Sequence, residues 1–286
     1  TSALSLNSGT IKDSAGNDAN LTLASPGASG SLGANNAVII DTTAPSVPTS
    51  LTTTSTITND NTPKITGTAD PNMSVELFDG STSLGTDVVD SSGNFTISTS
   101  STLNDGTYSL TAKSTDSAGN ISSESSALSI EIDTLSPSVT GVTSTSTDGT
   151  YERGDSINIS VSFSEEVNVS GTPTIQLDLE GPTDRTASYT SGSGSSSLIF
   201  TYTVQGGDTS TDLDYTSSSA LGLNGGTIKD IAGNNATLTL ASPGASGSLA
   251  SNQALVIDAP LNPTYSIQTS INVPQENYAL TTTVQT

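Results

Sequence analysis

Apolar and polar residues alternate along most of this chain, and no helical period of useful length appears. The clearest run is SINISVSFSEEV, residues 156–167. It puts Ile157, Ile159, Val161 and Phe163 on one face and Asn158, Ser160 and Ser162 on the other. SLIFTYTV does the same with Leu198, Phe200, Tyr202 and Val204. Shorter runs carry Ile175, Leu177 and Leu179; Val75 and Leu77; Phe95 and Ile97; Tyr108, Leu110 and Ala112; and Leu128, Ile130 and Ile132. Turn signals separate them, among them Asp79-Gly80, Gly93-Asn94, Asp105-Gly106, Asp148-Gly149 and Gly207-Asp208. Short half-buried strands at this spacing predict an all-β fold of sandwich type, with the apolar face of each run as its core.

A second pattern is longer. Residues 2–41 return, three-quarters unchanged and without insertion or deletion, as residues 219–258. That offset exceeds one ordinary domain, so the repeating unit is composite. Three apolar strands end in Ile-Asp before a Pro-bearing segment: Ile40-Asp41 before Pro45, Ile132-Asp133 before Pro137, and Ile257-Asp258 before Pro260. Proline fixes φ and withholds a donor, which suits a stiff joint with no ladder to extend. These joints divide the chain into 1–41, 42–133, 134–258 and 259–286. The first is the C-terminal part of a repeat (a truncated copy of 218–258), followed by a small domain, a larger one and the opening of another. The repeat unit is one small plus one large domain, and the chain reads as a slice of something longer. Residues 1–41 hold only the last strands of a domain and are not expected to fold alone.

Composition then narrows the chemistry. A net charge of −22 with six Lys and Arg speaks against a nucleic-acid partner and against an anionic membrane surface. It suits solubility, repulsion between neighbours, or cation binding. Without Cys there is no disulfide framework, and without His the commonest general base and metal ligand are missing. No apolar run is long enough to insert across a bilayer. Glu165 and Glu166 are adjacent on a strand and so point to opposite faces, a poor arrangement for paired-carboxylate catalysis. SGSGS at 191–195 precedes no helix and is a loop. A Lys–Asn isopeptide bond needs a buried lysine, for which Lys64 and Lys113 are candidates by number only. The Asn-x-Ser/Thr triplets at Asn94 and Asn158 arise by chance in so Ser- and Thr-rich a chain. The Thr runs 52–54 and 281–283 lack the regular ranks of an ice-binding face. No enzyme is expected.

In 42–133 the segments DTTAP, TNDNTPKITGTADPNMSVELF, DSSGNFT and LNDGTYSLTAKSTDSAGN lead to a closing IEID. This stretch resembles the bacterial Ig-like tandem repeats of giant cell-surface adhesins, of the RTX and BapA type. Residues 134–258, with GTYERGDSINISVSFSEEV, SGTPTIQLDLE and LNGGTIKDIAGN, look like a second repeat type common in large surface proteins of Gram-negative bacteria. Residues 261–286 are similar to the first strands of a Calx-β-like module. The resemblance implies an elongated linear array of tandem Ig-like β-sandwiches at the bacterial surface, often rigidified by Ca²⁺ at the joints. Its partners would be neighbouring repeats of the same polypeptide and cell-surface or extracellular-matrix components. Two other roles stay open: a phage tail-fibre or capsid-decoration protein on the virion, and an accessory module of a secreted carbohydrate-active enzyme.

Calcium at the joints is the sharpest expectation. In a sandwich built this way Asp41, Asp70 and Asp116 share one pole of 42–133, while Asp60, Asn61, Asp105 and Asp133 gather at the other. Carboxylates and nearby carbonyls are hard oxygen donors suited to Ca²⁺, which extracellular modules bind at roughly 10⁻⁴–10⁻³ M. The competing reading is that Asp and Asn occupy turns because they tolerate unusual φ and close Asx-turns. The motif Asp-x-Ala-Gly-Asn occurs at 13–17, 116–120 and 230–234. It predicts a tight hairpin whose leading Asp is available to a cation.

Overall fold

The computed structural model describes residues 3–35, 39–181, 183–261, 266–272 and 279–285, the last two stretches as backbone only. In chain order the elements begin with α1 (Leu32–Asn35), β1 (Thr49–Thr52), β2 (Ile57–Thr58), β3 (Lys64–Thr68) and β4 (Ser74–Asp79). They continue with β5 (Thr82–Val88), β6 (Asn94–Ser98), β7 (Gly106–Thr115) and β8 (Leu128–Ile132). Next come β9 (Val139–Ser144), β10 (Gly149–Tyr151), β11 (Ser156–Ser170), β12 (Thr174–Asp178), β13 (Arg185–Ser191) and β14 (Ser195–Thr203). The short strands β15 (Asp208–Ser210), β16 (Asp214–Tyr215), β17 (Leu221–Gly222) and β18 (Thr227–Lys229) follow. Last are α2 (Leu249–Asn252), β19 (Leu255–Ala259), β20 (Ser266–Asn272) and β21 (Ala279–Gln285). The fold is all-β. Each helix is a single turn, too short to leave a period in the sequence.

Two compact units form, one from residues 1–52, 65–97 and 110–128, the other from 53–64, 98–109 and 129–286. In the first, β1 pairs antiparallel with β3, which also neighbours β6, and β4 lies antiparallel between β5 and β7. Alternation places Ile65, Phe95 and Ile97 on the buried face of one sheet, and Val75, Leu77, Leu84, Leu110 and Ala112 on that of the other. A Cβ at Gly67 would overlap the Phe95 ring, so glycine there lets the ring lie across β3. Lys113 pairs with Glu124 at 3.1 Å and Lys64 is exposed, so neither offers the buried amine an isopeptide bond needs.

In the second unit β11 is the spine. Its first half pairs with β14 and β9, and its last three residues pair with β18. The sheet runs β16-β12-β13-β14-β11-β18, and β10-β19-β15 form a second sheet. Ile157, Ile159, Val161, Phe163, Leu198, Phe200, Tyr202 and Val204 are all buried in one core with Leu249, Leu255 and Ile257. β2 pairs β8 in parallel, and β20 pairs β21 antiparallel. Most of the expected Calx-β-like opening, 259–286, lies outside the residues whose side chains are described.

One polar cluster is built into this core. Asp208 is 1% exposed and receives Arg185 through Nε and Nη2, both at 2.9 Å. Its other oxygen accepts from the Tyr202 hydroxyl and from the Gln205 N–H at 2.8 Å. Burial first, and then the Asp208 carboxylate, hold the Tyr202 hydroxyl far above its ordinary pKa.

Candidate metal centre

The Asp-x-Ala-Gly-Asn hairpin folds alike at all three sites. At 230–234 the Asp230 Oδ1 accepts from the N–H groups of Gly233 (2.7 Å) and Asn234 (2.8 Å), and Asn234 Nδ2 donates to Asp230 Oδ2 at 2.7 Å. Gly233 has φ 103°, a conformation only glycine adopts freely. Asp116 and Asp13 are held by Asn120 and Asn17 in the same way, and those asparagine bonds pull both carboxyls below the usual range.

The closing Asn has a second task, which the sequence reading missed. Asn234 Nδ2 also donates to the Asp133 carbonyl at 2.9 Å, and Asn120 Nδ2 to the Asp41 carbonyl at 3.1 Å. Both acceptors are the Asp of an Ile-Asp joint. Each hairpin therefore clasps an Ile-Asp joint that lies well before it in the chain. The only signal for this in the sequence is that the motif recurs.

At the second joint the clasp assembles carboxylates. Asp133, Glu165 and Asp230 bring one oxygen each to within 4.8 Å of one another, and among the described residues no other such trio of acidic groups forms. Asp133 is fixed by its N–H on the Thr58 carbonyl (3.0 Å) and by its Oδ1, which caps the Leu135 N–H (3.0 Å). Glu165 comes from the stretch of β11 where the register against β14 shifts, between Ser162 and Val167. Such an irregularity re-aims side chains. Glu165 is half-buried there and Glu166 is exposed. Burial, then the charges of Asp133 and Asp230, push the Glu165 carboxyl above its usual pKa. Three hard-oxygen groups that repel one another suit a calcium-type cation in their chemistry.

Of the other candidates, Asp41 caps Thr43 (2.9 Å), and Asp70 accepts from the Ser46 N–H (3.1 Å). Asp60 caps Thr62 through N–H (2.9 Å) and hydroxyl (3.1 Å). Asp105 accepts from the N–H (3.0 Å) and hydroxyl (2.8 Å) of Thr134. Asn61 offers its carbonyl to the Leu103 N–H. Asp133 alone of the predicted set enters the trio, and the sequence singles out Glu165 only as the neighbour of Glu166.

Residues 35–134 match the family model of the bacterial Ig-like domain. That stretch contains Asp41, the first clasp and Asp133. The match supports an Ig-like domain over that stretch. Solved structures also match. One is titled biofilm-associated protein, BSP domain, at 16% identity and TM-score 0.21, over 73% of this chain and 28% of that one. At that score the likeness carries no argument, and the chain spans little more than a quarter of that protein. No curated protein sequence matches. Among the described residues no helix is long and apolar enough to cross a membrane.

The clasp yields one expected outcome directly. Asn234→Ala removes the bond to Asp133 and the bond to Asp230, at about 1 kcal/mol each. Asn17→Ala removes a bond on an exposed hairpin and should leave urea unfolding within about 0.5 kcal/mol of the parent.

Proposed function

We propose that this chain is a non-catalytic, rod-like spacer within the repeat region of a large extracellular bacterial surface protein, stiffened by Ca²⁺ at its joints. Its partners are neighbouring repeats of the same polypeptide and components of the cell surface or matrix. The observation that carries the reading is the Asp133, Glu165 and Asp230 trio beside a hydrogen-bonded Ile-Asp joint. Without a cation, three carboxylates held this close oppose the joint that the Asn234 clasp stabilises. A bound cation would turn that repulsion into attraction between the linker, β11 and the hairpin. The joint would then resist bending.

Thermal melting in calcium and in EDTA tests this. At a hundredfold excess over Kd, binding adds about 2.7 kcal/mol, a rise of roughly 10 °C for a domain of this size. Glu165→Gln should act with opposite signs: melting rises in EDTA because one of three like charges is gone, and the calcium response shrinks. Identical melts and identical scattering profiles in calcium and EDTA would sink the proposal.

A further inference from the structure

One turn of the second unit carries an Asn-Gly pair whose chemistry neither the clasps nor the core uses. Asn224 (φ 47°) and Gly225 (φ 76°) lie between β17 and β18, and the Gly226 N–H donates to the Leu223 carbonyl at 2.8 Å. Two central residues at positive φ, closed by that bond, make a type I′ turn, for which Asn-Gly is a favoured sequence. Both residues are exposed. A Cβ on Gly225 would meet nothing within 4 Å, and the Gly225 N–H makes no hydrogen bond among the described residues.

The turn is seated on the connection between β11 and β12. A Cβ on Gly226 would lie 2.2 Å from the Ser170 carbonyl oxygen, so the two turns touch backbone to backbone. Ser170 Oγ and Thr227 Oγ1 share a hydrogen bond at 2.9 Å, and Asn224 Nδ2 donates to the Thr172 carbonyl at 3.2 Å. Leu221 and Ile228, on either side of the turn, are buried in the core. The Asn224 amide therefore ties an exposed turn to the connection that follows the spine strand. That tie is a single bond at the long end of the normal range.

We propose that Asn224 is a site of spontaneous covalent modification, in which the Gly225 nitrogen displaces the side-chain amide. The Gly225 nitrogen, deprotonated by hydroxide, attacks Asn224 Cγ. The new C–N bond closes a five-membered imide as the Cγ–Nδ2 bond breaks, and ammonia leaves with a proton from water, which restores the hydroxide. Water then opens the ring at either carbonyl. The product is aspartate or, with the main chain rerouted through the side chain, isoaspartate. The sum is amide plus water to acid plus ammonia, so water is the only co-reactant. Glycine makes the step accessible: without a Cβ its nitrogen approaches Cγ unhindered, and the open space around Gly225 leaves room for the ring. The bond to Thr172 is the restraint that must break first.

The product undoes the seat. A carboxylate has no N–H for the Thr172 carbonyl, so the bond is lost and two acceptors face each other. Isoaspartate adds a carbon to the main chain, which a two-residue turn closed at 2.8 Å does not accommodate. Modification therefore lifts the turn from the β11–β12 connection and loosens the second unit where Leu221 and Ile228 enter its core. The repeat supplies an internal control. Asn7 and Ser8 (φ 41° and 71°) form the same turn, closed by the Gly9 N–H on the Leu6 carbonyl at 2.7 Å, but serine follows the asparagine there.

Incubation of the full chain at mildly alkaline pH, below its melting temperature, followed by peptide mass spectrometry tests the proposal. Conversion of amide to acid at Asn224 is expected to run several-fold faster than at Asn7. Gly225→Ser, which gives the turn the residue that the first copy carries, should bring Asn224 down to the rate of Asn7. The converted protein should unfold at lower urea than the parent, and Asn224→Asp should shift the midpoint in the same direction. Conversion at Asn224 no faster than at Asn7 overturns the proposal. So does a rate that Gly225→Ser leaves unchanged, or urea unfolding that complete conversion does not move. Should Gly225→Ser fail to fold, the comparison of Asn224 with Asn7 in the parent decides alone.

Discussion

Leu249→Ala should destabilise the second unit by about 2–5 kcal/mol, whereas Leu32→Ala should leave every unfolding transition within about 0.5 kcal/mol of the parent. The two leucines sit at equivalent positions of one-turn helices capped by Ser31 and Ser248. Propensity and capping are therefore held nearly constant between them. What differs is the cover: Leu249 belongs to the core that contains Phe200, Leu255 and Ile257, and Leu32 faces solvent. Truncating Leu249 removes the transfer free energy of its side chain and leaves a void that surrounding strands fill only in part. Urea unfolding followed by tyrosine fluorescence reports on this domain, since Tyr202 and Tyr215 are buried in it. Equal effects at the two positions would mean that local structure, and not burial, sets the stability of the segment.

Asp208→Ala is expected to cost about 3–5 kcal/mol. The loss has little to do with the attraction of one ion pair, which exposed at the surface would be worth at most about 1 kcal/mol. Removing the carboxylate leaves the three-quarters buried Arg185 guanidinium without its counter-charge, and the buried Tyr202 hydroxyl and the Gln205 N–H without their acceptor. Replacing Arg185 with methionine at the same time as Asp208 with alanine should recover part of the loss, because the stranded charge goes too. The comparison to make is the urea midpoint of the single and double variants. A cost for Asp208→Ala no greater than that of a surface ion pair would contradict the network.

The strand faces were legible because period 2 is a local property. Ile157, Ile159, Val161 and Phe163 are all inside, as are Leu198, Phe200, Tyr202 and Val204. The Asp-x-Ala-Gly-Asn hairpins could be read for the same reason: five consecutive residues contain both partners. The clusters that sequence reasoning missed are assembled from distant segments. Asp133, Glu165 and Asp230 come from a linker, a register shift and a hairpin, and nothing near Glu165 in sequence signals where β11 is bent. Asp208 looked like a turn residue beside Gly207, and only its approach to Arg185 and Tyr202 makes it a core group. The repeated segment gives the same lesson from the other side. Its hairpin and cap follow from its own residues, and its burial is decided by strands elsewhere.

β2 runs parallel to β8, pairing Ile57 with Glu131, and β10 runs parallel to β19, pairing Gly149 with Leu255 through Tyr151 with Ile257. Both pairs lie in the second unit and join strands far apart in the sequence. When the chain is pulled from the residues before Gly149 and after Ile257, parallel neighbours slide along each other, so all of their bonds are loaded together. Antiparallel strands pulled at their adjacent ends would instead open one bond at a time. A unit loaded in this way yields by shear, at higher tension than one that unzips.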